Sequence, residues 1–180
     1  MPRIADSKVL FMATDGFEES ELFGPRAMLL ARGAEVRLAA PERVPIQATV
    51  MDDPGKTIRP DMTIAEARAD EFDALVLPGG VRNPDSLRTD AQAIALIRAF
   101  AGLEKPIAAI CHGPWLLVEA DLLRGRRAAC WPSIRTDLHN AGAELVDEPA
   151  VVDGHIVTSR KPEDIREFTE TLITLIESRA

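Results

Sequence analysis

The sequence of 180 residues contains no tyrosine, and aromatic residues make up only 4% of it. Proteins that bind single-stranded nucleic acid commonly stack bases on aromatic side chains, so this shortage disfavours that class. Basic residues are also the minority, with 21 Lys and Arg against 29 Asp and Glu. The formal net charge of −8 repels nucleic acid and anionic membrane surfaces, and we expect neither as a partner.

Long apolar runs are missing as well. No stretch approaches the ~20 apolar residues that a membrane-spanning helix needs, and the brief run from Val9 to Ala13 is not followed by a signal-peptide cleavage pattern. We therefore expect a cytoplasmic protein whose two cysteines, Cys111 and Cys130, are free thiols. Because Cys111 and His112 are adjacent and no further ligand cluster follows, we expect no metal and no cofactor.

Short apolar runs alternate with amphipathic segments along the chain. The length suits one compact domain, so we expect a single domain over residues 1–180, with an ordered core at about 8–178. This alternation predicts an α/β fold of the flavodoxin-like, three-layer type, with a mostly parallel central sheet and helices on both faces. Strands are predicted at 8–14, 35–40, 73–77 and 106–110, and helices at 20–32, 62–70, 90–103 and 113–120.

The remaining segments are shorter. Residues 41–60 are rich in Pro, Thr, Asp and Gly and predict a hairpin or an excursion at the sheet edge. A helix at 134–140 places His139 on the surface, and His155 follows a hairpin turn, so both histidines are interpreted as surface residues. Short strands are predicted at 128–131, 144–146, 151–152 and 155–158, and a closing helix at 162–178.

The most informative stretch is the apolar run that ends on Cys111 and restarts at once as a helix. A cysteine at such a strand-turn-helix junction is a candidate nucleophile, because the N–H groups and positive dipole end of the helix favour its thiolate. His112 supplies a candidate base in the same turn. The alternative is that Cys111 is a small buried hydrophobe of the core, as we interpret Cys130.

Two other predicted loops lie at the carboxyl ends of strands, where the ligands of open α/β sheets bind. In the first, Glu18 is a candidate carboxyl partner of the sulfur, and it would be protonated because two adjacent negative charges raise each other's pKa. In the second, the backbone N–H groups of Gly79 and Gly80, with that of His112, form a candidate oxyanion hole. The alternatives are that Glu18 only favours a helix N-terminus and that the glycines only make a turn.

The sequence contains three short motifs: Leu77-Pro78-Gly79-Gly80, Ala109-Ile110-Cys111-His112-Gly113-Pro114 and Phe17-Glu18. Together they resemble the PfpI intracellular-protease-like family, which belongs to the superfamily of class I glutamine amidotransferase-like folds. The similarity covers nearly the whole chain from about Lys8. It implies that Cys111 is the nucleophile, with Glu18 and His112 as its partners, and that Asp85 reaches the histidine of a neighbouring subunit in a homodimer or larger homo-oligomer.

This sequence also departs from the family pattern. Trp115 stands where many relatives have Gln, which would narrow or reshape the pocket, and the loop from Gly80 to Asp85 is one residue longer than in some relatives. Glutamine amidotransferases of this fold carry a late His-Pro-Glu, whereas this chain has Lys161-Pro162-Glu163 in a similar position. We therefore do not expect glutamine hydrolysis.

The site and the resemblance together favour a cysteine enzyme of stress defence that acts on reactive carbonyls or glycated protein, as a glyoxalase III or deglycase does. Its substrate would be a small aldehyde, a protein or a peptide. The family's other activity, peptide-bond hydrolysis, uses the same nucleophile and is the first alternative. The second alternative is a redox sensor or chaperone in which Cys111 is oxidised and a protonated Glu18 holds the sulfinate.

Overall fold

The computed structural model describes residues 3–179. Most of the predicted strands and helices recur in the expected order, and the strands form one large sheet and two small ones. The strands are β1 (Lys8–Met12), β2 (Phe17–Glu18), β3 (Glu35–Ala40), β4 (Ile46–Val50), β5 (Asp53–Ile58), β6 (Met62–Thr63), β7 (Ala74–Leu77), β8 (Ile107–Ile110), β9 (Arg127–Ala128), β10 (Glu144–Leu145), β11 (Ala150–Asp153) and β12 (Ile156–Ser159). The helices are α1 (Glu19–Ala31), α2 (Arg82–Leu87), α3 (Ala91–Gly102), α4 (Pro114–Glu119), α5 (Arg135–Asn140) and α6 (Ile165–Ser178).

Seven of these strands form the central sheet, in the order β11-β12-β8-β7-β1-β3-β6, and the others form the two small sheets, β2-β4-β5 and β9-β10. All neighbouring pairs are parallel except β11 with β12. From β1 the chain proceeds to β3 on one side and later to β7 and β8 on the other, so the strand order reverses between β1 and β7. Ligands bind outside the carboxyl ends of strands at such a reversal.

Side chains of successive sheet residues point alternately into two separate cores. Leu75 and Leu77 of β7 pack with α3 and α4 on one face, whereas Ala74 and Val76 pack with α1 and α6 on the other. The strands are therefore buried on both sides, which confirms the predicted three-layer sandwich. Within residues 3–179, no helix is both long enough and apolar enough to cross a membrane.

Three sequence predictions need correction. Residues 62–70 do not form a helix, because Met62 and Thr63 pair with the edge of β3 and a 3-10 helix follows at Ala69–Glu71. The loop after β7 contains a helix, α2, which the sequence pattern did not indicate. His155 is buried, with 8% of its surface exposed, because it leads into β12, which lies between β11 and β8.

Candidate active site

Cys111 lies in a sharp turn between β8 and α4. Its backbone has a φ of 63°, in the left-handed region that L-residues rarely adopt. The surrounding structure imposes this conformation from two sides, since the Cys111 N–H donates to Ser159 O (3.0 Å) and the Cys111 carbonyl accepts from Trp131 N (2.9 Å). A strained residue that is held this firmly is typical of a functional site.

The loop after β7 passes directly beside this turn. A Cβ atom on Gly79 would lie 2.8 Å from the Cys111 Cβ, so only glycine allows the approach. Gly80 has a φ of +74°, which also favours glycine. The fully buried Asn83 fixes the loop by donating to Pro78 O and Gly79 O, both at 3.0 Å, while its Oδ1 accepts from Thr14 N (2.8 Å).

The carboxyl group that interacts with the thiol belongs to Glu21, in the first turn of α1. Glu21 is fully buried and faces both the thiol of Cys111 and the backbone N–H of Gly80. Neither carboxyl oxygen makes a hydrogen bond of normal geometry with another group in residues 3–179. A buried carboxyl without strong donors is most stable in its neutral, protonated form.

Cys111 and Glu21 affect each other's protonation. Burial is the main cause that raises the pKa of Glu21 well above its ordinary value of 4.5, and the charge of Glu18 adds to it. Burial also raises the pKa of the Cys111 thiol, followed by the charge of Glu21. The N–H groups of His112 and Gly80 act in the opposite direction and favour the thiolate. The pair therefore holds at most one negative charge near neutral pH.

The structure corrects the prediction that Glu18 is the carboxyl partner of Cys111. Glu18 forms β2, which pairs with β4, and its Oε2 accepts from Met51 N at 3.1 Å. Glu19 similarly accepts from Lys56 N at 2.7 Å. Both carboxylates thus attach the hairpin of β4 and β5 to the start of α1. Glu21, three positions after Glu18, lies beside the thiol instead.

His112 is 7% exposed, and its Nδ1 lies 3.4 Å from the Cys111 Sγ. Its ring packs between two indoles: the edge of Trp115 is one neighbour, with ring centroids 5.1 Å apart, and Trp131 is stacked at 5.9 Å. Burial lowers the pKa of His112, so the imidazole is neutral at physiological pH. Side chains of residues that are adjacent in sequence often point in different directions, but the imidazole of His112 points toward the sulfur of Cys111.

The remaining candidates lie nearby. Gly80 and His112 place their backbone N–H groups beside the sulfur, whereas Gly79 contributes the close approach of its backbone. Asp85 is exposed on α2, and its side chain takes part in no hydrogen bond or ion pair among residues 3–179. Trp115 is half-buried and packs against the ring of His112.

Glu21 and Asn83 are the site residues that sequence reasoning missed. The buried face of α1 consists of Glu21, Leu22, Pro25 and Leu29, so Glu21 has the spacing of a core position. A glutamate at a core position of a helix is the sequence signal that could have identified Glu21, and Glu18 does not carry it. No comparable pattern marks Asn83. Among residues 3–179, no group of three or more His, Cys, Asp or Glu is arranged to hold a metal ion.

The sequence matches the DJ-1/PfpI family over residues 7–175. A deglycase of Pyrococcus horikoshii is 42% identical over 169 residues, which cover 92% of this chain and 99% of the relative. General stress protein 18 of Bacillus subtilis is 38% identical over 172 residues, which cover 94% of this chain and 98% of the relative.

A solved structure shows the same architecture. It is a two-domain protein from Anabaena variabilis with DJ-1/ThiJ/PfpI-like and ferritin-like domains, and it superimposes with a TM-score of 0.90 at 34% identity. The superposition covers 95% of this chain and 48% of that protein.

Proposed function

This chain belongs to the DJ-1/PfpI family, and from that premise we propose that it is a cysteine-dependent deglycase that removes carbonyl adducts from protein and consumes free α-oxoaldehydes. The deglycase name of relatives at about 40% identity supports the reaction class. The name general stress protein 18 for another relative supports a role in stress defence. That the protein works in the cytoplasm, where both thiols stay reduced, is part of the proposal.

One observation carries the proposal: a fully buried carboxyl, Glu21, faces the thiol of Cys111 beside two backbone N–H groups. Addition of a thiolate to an aldehyde turns the carbonyl oxygen into an oxyanion, which needs hydrogen-bond donors. The same reaction needs a group that can give and take a proton near the substrate carbons. Glu21, which holds a proton at rest and becomes a base once it has released it, meets the second need, and the N–H groups of Gly80 and His112 meet the first.

The proposed reaction with methylglyoxal begins when the Cys111 sulfur bonds to the aldehyde carbon and gives a hemithioacetal. The proton on that carbon is then transferred, through an enediol, to the neighbouring carbon. The first carbon is thereby oxidised to a thioester and the second is reduced to an alcohol, so no external oxidant or reductant is required. Water finally hydrolyses the thioester, which releases lactate and restores the thiol.

Two groups are placed to move these protons. Neutral His112 has its Nδ1 3.4 Å from the sulfur and accepts the thiol proton as the C–S bond forms. Glu21 first donates its proton to the oxygen on the first carbon as the C–S bond forms. The resulting carboxylate then takes the proton from that carbon and passes it to the second carbon, and it recovers its own proton when the thioester carbonyl forms. In a glycated protein the amine or guanidine nitrogen is bonded to that same carbon as a hemiaminal. It takes the thiol proton and leaves as the C–S bond forms, and the later steps are the same.

The test is a rate comparison of the wild type with Cys111→Ser and Glu21→Gln on methylglyoxal, on methylglyoxal-treated protein and on a panel of peptides. We expect lactate release from the first two substrates by the wild type, loss of both activities in Cys111→Ser, and a large reduction in Glu21→Gln. Cys130→Ser is the matched control, because this second buried cysteine belongs to the core cluster on the opposite face of the sheet from Cys111.

The outcomes separate the alternatives. Cleavage of peptides without lactate release would replace the proposal with a cysteine peptidase. No turnover of any substrate, together with a stable gain of two oxygens on Cys111 after peroxide, would replace it with a redox sensor.

We retain the homo-oligomer as a proposal. Met51, which donates to Glu18, is 83% exposed, and Val81, which follows Gly80, is 57% exposed, so apolar surface borders the site. A second copy that covers this surface would bring its residues near Asp85. Light scattering of Met51→Asp and wild type at equal concentration tests this, and a monomeric wild type would refute it.

A further inference from the structure

The imidazole of His112 is held from three sides. Its Nδ1 lies 3.4 Å from the Cys111 Sγ, the indole of Trp131 is stacked on it, and the indole of Trp115 meets it at 69°, edge to face. Rotation about the Cβ–Cγ bond of a histidine is broad when nothing restrains it. The two indoles are therefore what keeps Nδ1, rather than a ring carbon, on the sulfur.

Trp115 is itself held by two other elements. Its indole Nε1–H donates to the carboxylate of Asp137 on α5, at 2.9 Å. On the side of α2, the guanidinium of Arg88 lies 5.2 Å from the centroid of its ring, a cation–π contact. Arg88 also pairs with Glu119 at the end of α4, at 3.5 Å. The tryptophan thus connects α4 to both of its neighbours.

We infer that Trp115 and Asp137 are positioning residues for His112: the Asp137 carboxylate fixes the indole of Trp115, and the indole fixes the imidazole on the thiol. This inference rests on the proposed role of Cys111 and His112. It assigns a role to Asp137, an exposed residue that makes no hydrogen bond to Cys111, His112 or Glu21.

The arrangement predicts which kinetic constant changes. Asp137 acts on the orientation of a proton acceptor and does not form the space in which substrate binds, so its loss lowers kcat and leaves KM nearly unchanged. We therefore expect Asp137→Asn and Trp115→Phe each to lower kcat by about threefold to tenfold.

A double-mutant cycle tests whether Asp137 acts through Trp115. Asp137→Asn should lower kcat in the wild-type background and change it by less than about twofold when Trp115→Phe is already present, because the indole N–H is then gone. Asp70→Asn is the control, since Asp70 pairs with Arg68 in a 3-10 helix that precedes β7, away from the carboxyl ends of the strands. Equal losses in both backgrounds, or no loss in either, would overturn the inference.

A second readout does not need an active enzyme. The chain has only three histidines, so the ring-proton resonances of His112 in an NMR spectrum are identified with the variant His112→Gln. Asp137→Asn should shift these resonances, although it does not touch His112, because the ring current of a displaced indole changes. The resonances of His155, buried ahead of β12, should stay in place.

In the Trp115→Phe background, Asp137→Asn should move the His112 resonances no further. If the wild type proves inactive on carbonyls but the resonances follow this cycle, the proposed function fails and the positioning stands. If the enzyme is active but Asp137→Asn leaves the His112 resonances unchanged, the positioning fails and the proposed function stands.

Discussion

The two cysteines of this chain are almost equally buried, with 6% of Cys111 and 5% of Cys130 exposed. Their surroundings are different. Cys111 sits in a left-handed turn at the carboxyl edge of the sheet, with Glu21, His112 and the N–H of Gly80 around its sulfur. Cys130 packs among the apolar side chains of the opposite core. Burial raises the pKa of both thiols, so burial does not distinguish a reactive cysteine from an inert one; the polar groups around the sulfur do.

The largest expected effect comes from removing one sulfur or the other. Cys111→Ser should lower kcat/KM for methylglyoxal by about a thousandfold or more, because the hydroxyl of serine is a far weaker nucleophile without a matched base. Cys130→Ser should stay within about twofold of the wild type, since its thiol has no role in the proposed reaction. Steady-state lactate release measures both. Similar losses of kcat/KM in the two variants would contradict the assignment of Cys111 as the reactive cysteine.

The next effect concerns the carboxyl groups. Glu21→Gln keeps the size and burial of the side chain but removes its acidic proton, so we expect kcat to fall by about tenfold to a hundredfold. Glu18→Gln should change kcat by less than about threefold, because this carboxylate accepts from Met51 N and lies away from the thiol. A larger loss of kcat in Glu18→Gln than in Glu21→Gln would identify Glu18 as the carboxyl partner of Cys111.

The same carboxyl makes stability depend on pH. The pKa of Glu21 is raised in the folded state, so its unfolded form ionises first as pH rises through 4.5. Wild-type stability is therefore full below this value and falls as pH rises toward the folded pKa. Glu21→Gln lacks this loss. The free energy of unfolding of the variant, relative to that of the wild type, should therefore be larger at pH 8 than at pH 4. Urea unfolding at both pH values measures the gain, and a constant difference would mean that the carboxyl is not forced to stay protonated.

The smallest effect is a backbone comparison of the two cysteines. Cys111→Gly should be more stable than Cys111→Ala by about 1 kcal/mol, because glycine adopts the left-handed conformation without strain. Cys130 does not have a positive φ, and at this site the glycine variant should be less stable than the alanine variant by about 0.5–1 kcal/mol. Thermal unfolding of the four variants measures both differences. The same sign at both positions would contradict the strained turn.

Much of the fold follows from the pattern of the sequence. Short apolar runs such as residues 73–77 and 106–110 are long enough only for strands, and each ends in a turn at the same edge, so the three loops of the site were predicted to meet. The turn at Cys111 was predicted in the same way, because the apolar run 106–110 ends there and a helix follows at once. The length and period of the apolar segments indicate which of them are strands buried on both faces. Such strands belong to a parallel sheet covered by helices, and the loops that follow them converge at one edge of that sheet.

The choice between Glu18 and Glu21 could not be made from motif position. It depends on the rotation of α1 about its axis, which Leu22, Pro25 and Leu29 determine by packing on the sheet. The burial of His155 depends on which strands flank β12, a tertiary property with no local signal. Asn83 fixes the glycine loop through three hydrogen bonds that join the segments following β1 and β7, and no spacing within the sequence indicates such bonds.

The central claim is that the polar surroundings of Cys111 make it the reactive thiol. Alkylation by iodoacetamide of the folded wild type, followed over time by peptide mass spectrometry, measures both cysteines in the same molecule. The account predicts that Cys111 is modified at least ~10-fold faster than Cys130, and that Glu21→Gln changes the rate at Cys111 only. Equal rates at the two sulfurs, or faster modification of Cys130, would contradict it.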